Sequence, residues 1–131
     1  MKKLTREWVR KAESDYRGAS QLARSRPPVH DLICFCSQQC AEKYFKALVE
    51  EQGLAVPRTH DLQDLLELLL PSHPKLATLR RGAKFLIQFA VDARYPGFQA
   101  SKRQGQAAQR WADKVRTATR ALLGLPTRPL P

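Results

Sequence analysis

The sequence predicts an all-α protein, an antiparallel up-and-down bundle of four long helices plus one short helix. Three observations carry that prediction. Apolar residues recur at three- and four-residue intervals through long stretches, the period of a helix face. Prolines gather between those stretches, where they break helices. No run alternates apolar and polar residues between hairpin turns, so no β-strand is expected.

The first helix is expected over about Thr5–Arg24, with Thr5 as its cap and Glu7 in its first turn, where a carboxylate suits the positive end of the helix dipole. Trp8, Ala12, Tyr16, Ala19, Leu22 and Ala23 form its apolar stripe. Asp15 lies beside that stripe and needs a cation. Arg26-Pro27-Pro28 ends the helix. The second helix, about His30–Gln52, turns Ile33, Ser37, Cys40, Ala41, Tyr44 and Leu48 inward, and Gly53 stops it. Thr59 reads as the cap of the short leucine-rich helix His60–Leu70. After the break at Pro71 to Pro74, a fourth helix is expected over about Lys75–Asp92. Arg94-Tyr95-Pro96-Gly97 then makes a structured turn. The last helix runs from about Ser101 to Leu123, with Ala108, Trp111, Ala112, Val115, Ala118 and Leu122 as its stripe. Residues 1–125 read as one bundle domain and 126–131 as a proline-rich tail, expected to fray.

A chain of 131 residues with 43% hydrophobic residues supports one core and not two. The N-terminus lacks the apolar stretch of a secretory signal, and no apolar run reaches the ~18 residues of a membrane span. A cytoplasmic protein with no membrane partner is the expectation. Cys34, Cys36 and Cys40 fall close together, an odd set that makes a poor disulfide framework. Cys36 and Cys40 share a helix face and could both touch a metal, but no second cluster completes four zinc ligands. Small buried thiols are the favoured reading; no metal and no cofactor is expected. The net charge of +11 draws phosphates without choosing among them. A nucleic acid, a nucleotide and an acidic partner protein all fit it, as does a basic solvated surface.

The second helix holds the densest polar pattern: Gln39, Glu42, Lys43 and Lys46, three, four and seven residues apart on one polar face. Glu42 and Lys46 are an i,i+4 pair in the favourable order, worth about 0.2–0.5 kcal/mol on a solvated helix, so an ordinary wet face also explains them. Thr59-His60-Asp61-Leu62 adds a histidine and a carboxylate at a helix start. Arg94-Tyr95-Pro96 adds an arginine beside an aromatic at a helix break. Two readings of His60 stand: a helix-start side chain bonded to backbone or to Asp61, or a proton-moving group. Arg94 is likewise either an ion-pair partner of Asp15, Asp92 or Glu42, or a phosphate contact. The last helix carries Lys102, Arg103, Arg110, Lys114, Arg116 and Arg120 on more than one side, a basic cylinder rather than one stripe.

In Trp8 through Ala19 with Ala12 and Asp15, in Gln38-Gln39-Cys40-Ala41-Glu42-Lys43 with Lys46-Ala47-Leu48, in Thr59-His60-Asp61-Leu62 and in Ala93-Arg94-Tyr95-Pro96, the sequence resembles the HEPN domain family. The match in order and spacing covers about Leu4 to Leu123. The resemblance implies a four- to five-helix bundle that usually forms homodimers. It also implies a partner, a minimal nucleotidyltransferase often encoded beside such domains. Members have been viewed as nucleotide-binding modules, and many relatives are metal-independent endoribonucleases acting as toxins of toxin–antitoxin pairs. That nuclease branch carries Arg, four to six residues, then His near the start of its last helix, where histidine moves a proton and arginine holds the phosphate. Here Arg94 is followed by Tyr95, Pro96, Gly97, Phe98, Gln99, Ala100 and Ser101, with no histidine.

The first expectation is therefore a binding module: a homodimer that engages a nucleotidyltransferase-type partner and a nucleotide, RNA or other phosphate ligand. Gln39, Lys43, Lys46, His60, Arg94 and Tyr95 are its candidate ligand residues, supported by Asp15, Glu42 and Asp61 through ion pairs. The alternative is an endoribonuclease toxin using Arg94 and His60. A purely structural oligomerisation scaffold is the third reading.

Overall fold

A computed structural model describes residues 1–128. Five α-helices follow one another: α1 (Lys3–Arg24), α2 (His30–Glu51), α3 (Leu62–Leu69), α4 (Arg80–Leu86) and α5 (Lys102–Leu122). Among the described residues there is no strand. The bundle is built around α2, which packs along α1 on one side and α5 on the other while α3 closes a third. The sequence shows why α2 is central. Of its 22 residues 13 are buried, including Phe45 and Val49 besides the expected inward row and the polar Gln38, Glu42 and Lys46, so it is enclosed on most sides. Its stop is at Gly53, whose φ of 77° lies in the left-handed region.

Several element boundaries differ from the expectation. Thr5 does not cap α1. It lies inside the helix, fully buried, and its hydroxyl donates to Glu51 at 2.9 Å. Thr59 is not the cap of the short helix either. Asp61 is, its carboxylate accepting from the backbone N–H of Gln63 and Asp64, while Thr59 Oγ1 accepts from the Asp61 N–H. The helix thus starts two residues later, at Leu62, and buries Leu62, Leu65, Leu66 and Leu69.

The largest difference is the expected fourth helix. The span instead opens as a 3-10 turn over Pro74–Leu79, becomes α-helical only over Arg80–Leu86, and returns to 3-10 over Ile87–Phe89. A further 3-10 turn, Asp92–Arg94, ends at the expected Arg94–Gly97 break. Packing explains the interruptions. Gly82 lies against the Trp111 ring of α5, with no room for a side chain: an added Cβ would come within 2.3 Å of a ring carbon. Farther on, Phe85 and Phe98 each pack edge-on to Phe89, at centroid distances of 5.4 and 5.9 Å. These aromatic contacts fix the segment while the backbone ladder changes pitch. At the start of α5, Ser101 forms a reciprocal capping box with Gln104. The Asp31 carboxylate in the first turn of α2 accepts from the Ala100 N–H at 2.7 Å and ties the two helix starts together.

Cys34 and Cys40 are buried and Cys36 is half-buried; all three are free thiols. Burial pushes the Cys34 thiol up to about 12, and Cys40 well above its ordinary value. Among the described residues no helix is long and apolar enough to cross a membrane.

Candidate functional site

Gln38, Glu42 and Lys46 follow one another at four-residue spacing and stack along one side of α2. The segment entering α3 covers that side and brings His60 to it. The Glu42 carboxylate is the hub: Oε2 accepts from Lys46 Nζ at 3.1 Å, and Oε1 accepts from Gln38 Nε2 at 3.1 Å. His60 Nδ1 lies 2.9 Å from the same Oε1. Gln38 also donates to the His60 backbone carbonyl, and Gln39 Nε2 donates to Gln38 Oε1 at 2.7 Å.

This is not the ordinary wet face that the i,i+4 spacing allows. The Glu42 residue is 3% exposed and Lys46 7%, with the Lys46 ammonium 5.5 Å from the Trp8 ring centroid. The cation and the anion neutralise each other inside the molecule. The His60 side chain, in contrast, is 63% exposed. An ionised Glu42 only accepts, so His60 carries its hydrogen on Nδ1, which leaves Nε2 as the basic nitrogen of an exposed ring.

Lys43 turns the other way round α2. Its Nζ pairs with Asp15 of α1 at 2.6 Å, the cation that the half-buried Asp15 needs. Asp61, expected in a supporting ion pair, serves as the α3 cap and joins no ion pair among the described residues.

Arg94 pairs with none of the three acids considered for it. Its guanidinium lies 4.7 Å from the Phe35 ring centroid and 5.7 Å from that of Tyr95, exposed, with no ion pair among the described residues. Phe35 and Glu42 are seven residues apart on nearly the same line of α2, so the Arg94 and His60 attachment points are about 10.5 Å apart along the helix. The structure therefore sorts the expected residues into three sets. Gln39, Glu42, Lys46 and His60 form one network, Lys43 and Asp15 a separate pair, and Arg94 with Tyr95 an exposed cation about two turns from the Glu42–His60 contact.

A second charged cluster escaped sequence reading. Glu13 of α1 pairs with Arg116 of α5 at 2.6 Å and with Arg120 at 3.5 Å, and also accepts from the Tyr44 hydroxyl. Burial pulls the Glu13 carboxyl up, but hydrogen bonds from Arg116 and Tyr44 and the charges of both arginines outweigh it, leaving it below 4.5. The signal was present: Arg116 sits between Val115 and Thr119 on the buried side of α5. The basic cylinder expected for α5 is thus reduced. Arg116 and Arg120 point inward, leaving Arg103, Arg110 and Lys114 together on one side and Lys102 apart from them at the helix start.

The HEPN domain model matches residues 5–122. The chain belongs to the HEPN family. The HEPN fold is seen again in the crystal structure of ST0689, an archaeal HEPN homologue. It matches with a TM-score of 0.72 and 27% identity over 94% of this chain and 99% of that one. A comparison with curated proteins finds no match. Within the HEPN frame, the position four to six residues after Arg94 carries no histidine, and the nearest exposed imidazole along α2 is His60.

Proposed function

We propose that this HEPN protein is a binding module: a homodimer that engages a minimal nucleotidyltransferase and takes a nucleotide or other phosphate ligand at Arg94. One observation carries the reading. Arg94 is an exposed guanidinium over the Phe35 ring, with Tyr95 beside it and no ion pair among the described residues. Lys43 and Lys46, by comparison, are both neutralised within the chain. A stacked guanidinium keeps its planar fork of donors available for two phosphate oxygens. Around it Leu32, Val91 and Tyr95 are 40, 49 and 57% exposed. Aromatic and arginine side chains amid apolar ones are the composition of an interface centre. In a two-fold dimer the patch faces its own copy, so two Arg94 side chains serve one ligand.

Titrating the protein with ATP, followed by melting temperature, tests the ligand part. Wild type should gain several degrees at saturating ATP, and Arg94→Ala should lose that gain while melting normally without ligand. An equal ATP response in both proteins ends the Arg94 assignment. Co-expression with a minimal nucleotidyltransferase tests the partner part, read by co-purification at physiological salt.

The His60–Glu42 contact favours a second reading, an endoribonuclease. A carboxylate fixing Nδ1 leaves Nε2 as a general base, the arrangement proton transfer from a ribose hydroxyl requires. Incubation with structured RNA in EDTA separates the two. RNA cleavage lost in both Arg94→Ala and His60→Ala replaces the binding module with the nuclease.

A further inference from the structure

With Arg116 and Arg120 drawn inward onto Glu13, three of the remaining four cations of α5 fall into register, Lys102 being the one set apart. Arg103, Arg110 and Lys114 are seven and four residues apart and lie along one line of the helix, on its solvent side. Ala107 sits on the same line between Arg103 and Arg110, and being small it leaves a notch of about 290 Å³ there. Phe85 of α4 forms one wall of the notch, and Gln104 and Gln106 add neutral donors and acceptors. Phe85 is braced from behind by Phe89. Lys114 lies over the Trp111 ring at 4.8 Å, and Arg81 and Lys84 are exposed on neighbouring α4.

None of these cations joins an ion pair among the described residues. The one acid of α5, Asp113, accepts a hydrogen bond from Tyr16 at 2.9 Å. Asp113 borders the line beside Arg110 and Lys114, and the remaining like charges repel one another weakly through solvent, a repulsion that a phosphate chain laid along them would relieve.

We infer that this crest of α5 binds the sugar–phosphate backbone of a single-stranded polynucleotide, without reading its sequence. From Arg103 to Lys114 the crest is about 16.5 Å long at 1.5 Å per residue, long enough to meet successive phosphates of one strand. Guanidiniums match phosphate oxygens in pairs, and the half-buried Phe85 side chain gives the notch an apolar wall for a base to rest against. An acidic protein fits less well. Protein interfaces are organised around exposed apolar anchors and disfavour lysine, whereas the large exposed apolar side chains here lie elsewhere: Leu4, Leu32, Leu54 and Val91 among them. The crest shares no residue with the Arg94 site, and the inference stands whether or not Arg94 holds a nucleotide.

Fluorescence anisotropy with labelled oligouridylate of ten residues tests it on the full chain, over a series of salt concentrations. Binding should weaken linearly in log–log form as salt rises. The triple variant R103Q/R110Q/K114Q should bind at least tenfold more weakly at low salt, with a slope shallower by about 2, since each lost phosphate contact removes about 0.7. Arg10→Gln, which removes one exposed cation from α1, should keep the wild-type slope. Circular dichroism confirms that the triple variant, altered only at exposed positions, remains helical; the single variant Arg110→Gln should show a smaller loss in the same direction. Unchanged affinity and slope in the triple variant overturn the inference. So does polyglutamate competing as well as unlabelled RNA at equal charge, which would assign the crest to an acidic protein.

Discussion

Arg116 is 1% exposed, yet its guanidinium is fully engaged: Nε and one Nη face Glu13, while the two Nη groups reach the carbonyl oxygens of Thr127 and Arg128. Such a pair adds little beyond what well-packed apolar residues would, but breaking it strands a buried charge. Glu13→Gln should therefore cost about 3–5 kcal/mol in urea unfolding. The pH dependence has a definite sign. The folded Glu13 carboxyl titrates below 4.5, so its contribution is present above that value and is lost as pH falls through the lower, folded value. Removing Glu13 should flatten the acid limb of a stability–pH curve between pH 4.5 and the folded value, and an unaltered limb would assign acid unfolding to other carboxylates. At the alkaline end the sign reverses. Burial and the Asp113 hydrogen bond raise Tyr16 to about 12, so its contribution holds below pH 10 and fades as pH rises toward 12. Thiol chemistry belongs to this scale as well. With Cys34 held up at about 12 and Cys40 buried, neither should react with iodoacetamide at neutral pH until the protein is unfolded, as mass spectrometry would show.

At the scale of elements, the contact of α4 with α5 makes a sharper prediction than helix propensity does. A helical glycine replaced by alanine ordinarily gains up to about 1 kcal/mol. At Gly82 the new methyl would come within 2.3 Å of a Trp111 ring carbon, and overpacking of this kind costs about 1–3 kcal/mol. The clash is with a rigid ring, so it should win: Gly82→Ala should lower the melting temperature. Ser101→Ala should cost about 1 kcal/mol through loss of its cap, measured in the same way. The helices α1, α2 and α5 were legible in the sequence because each shows a long apolar period closed by a proline or glycine. The fourth was not legible as it stands. Its periodicity is real, but Pro74 sets a tight first turn and the edge-on rings of Phe85, Phe89 and Phe98 dictate its path, and neither effect shows in spacing alone. Cap assignment failed at Thr5 and Thr59 for a related reason. A threonine can fill a cap, but Glu51 offered Thr5 a partner across the interface, and Asp61 is a stronger acceptor two residues after Thr59.

For the whole molecule, the sequence marks which residues matter more readily than how they are joined. Glu42, Lys46, His60 and Arg94 stand out by type and spacing. That Glu42 gathers two of them, and that Lys43 turns to Asp15, depends on which way α2 is rotated between its neighbours. The Glu13 cluster was hidden because its members lie 31 and 103 residues apart in the chain, joined only by folding. A two-fold seam over Leu32, Val91 and Tyr95 needs about 1,000 Å² to persist. Leu32→Asp should then convert a dimer to a monomer in sedimentation velocity while circular dichroism stays helical; a wild-type monomer at micromolar concentration would put the seam aside.

The two carbonyls that meet Arg116 lie beyond the end of α5, and Pro126 accepts from Arg120 in the same way. This strand of non-helical backbone therefore supplies part of the dielectric around a charge at the heart of the fold. Cutting the chain after Leu125 should be felt about 9 Å of helix away, at Arg116 and in the protonation of Glu13, rather than at the cut itself. A fusion made at this end alters the interior before it alters the surface.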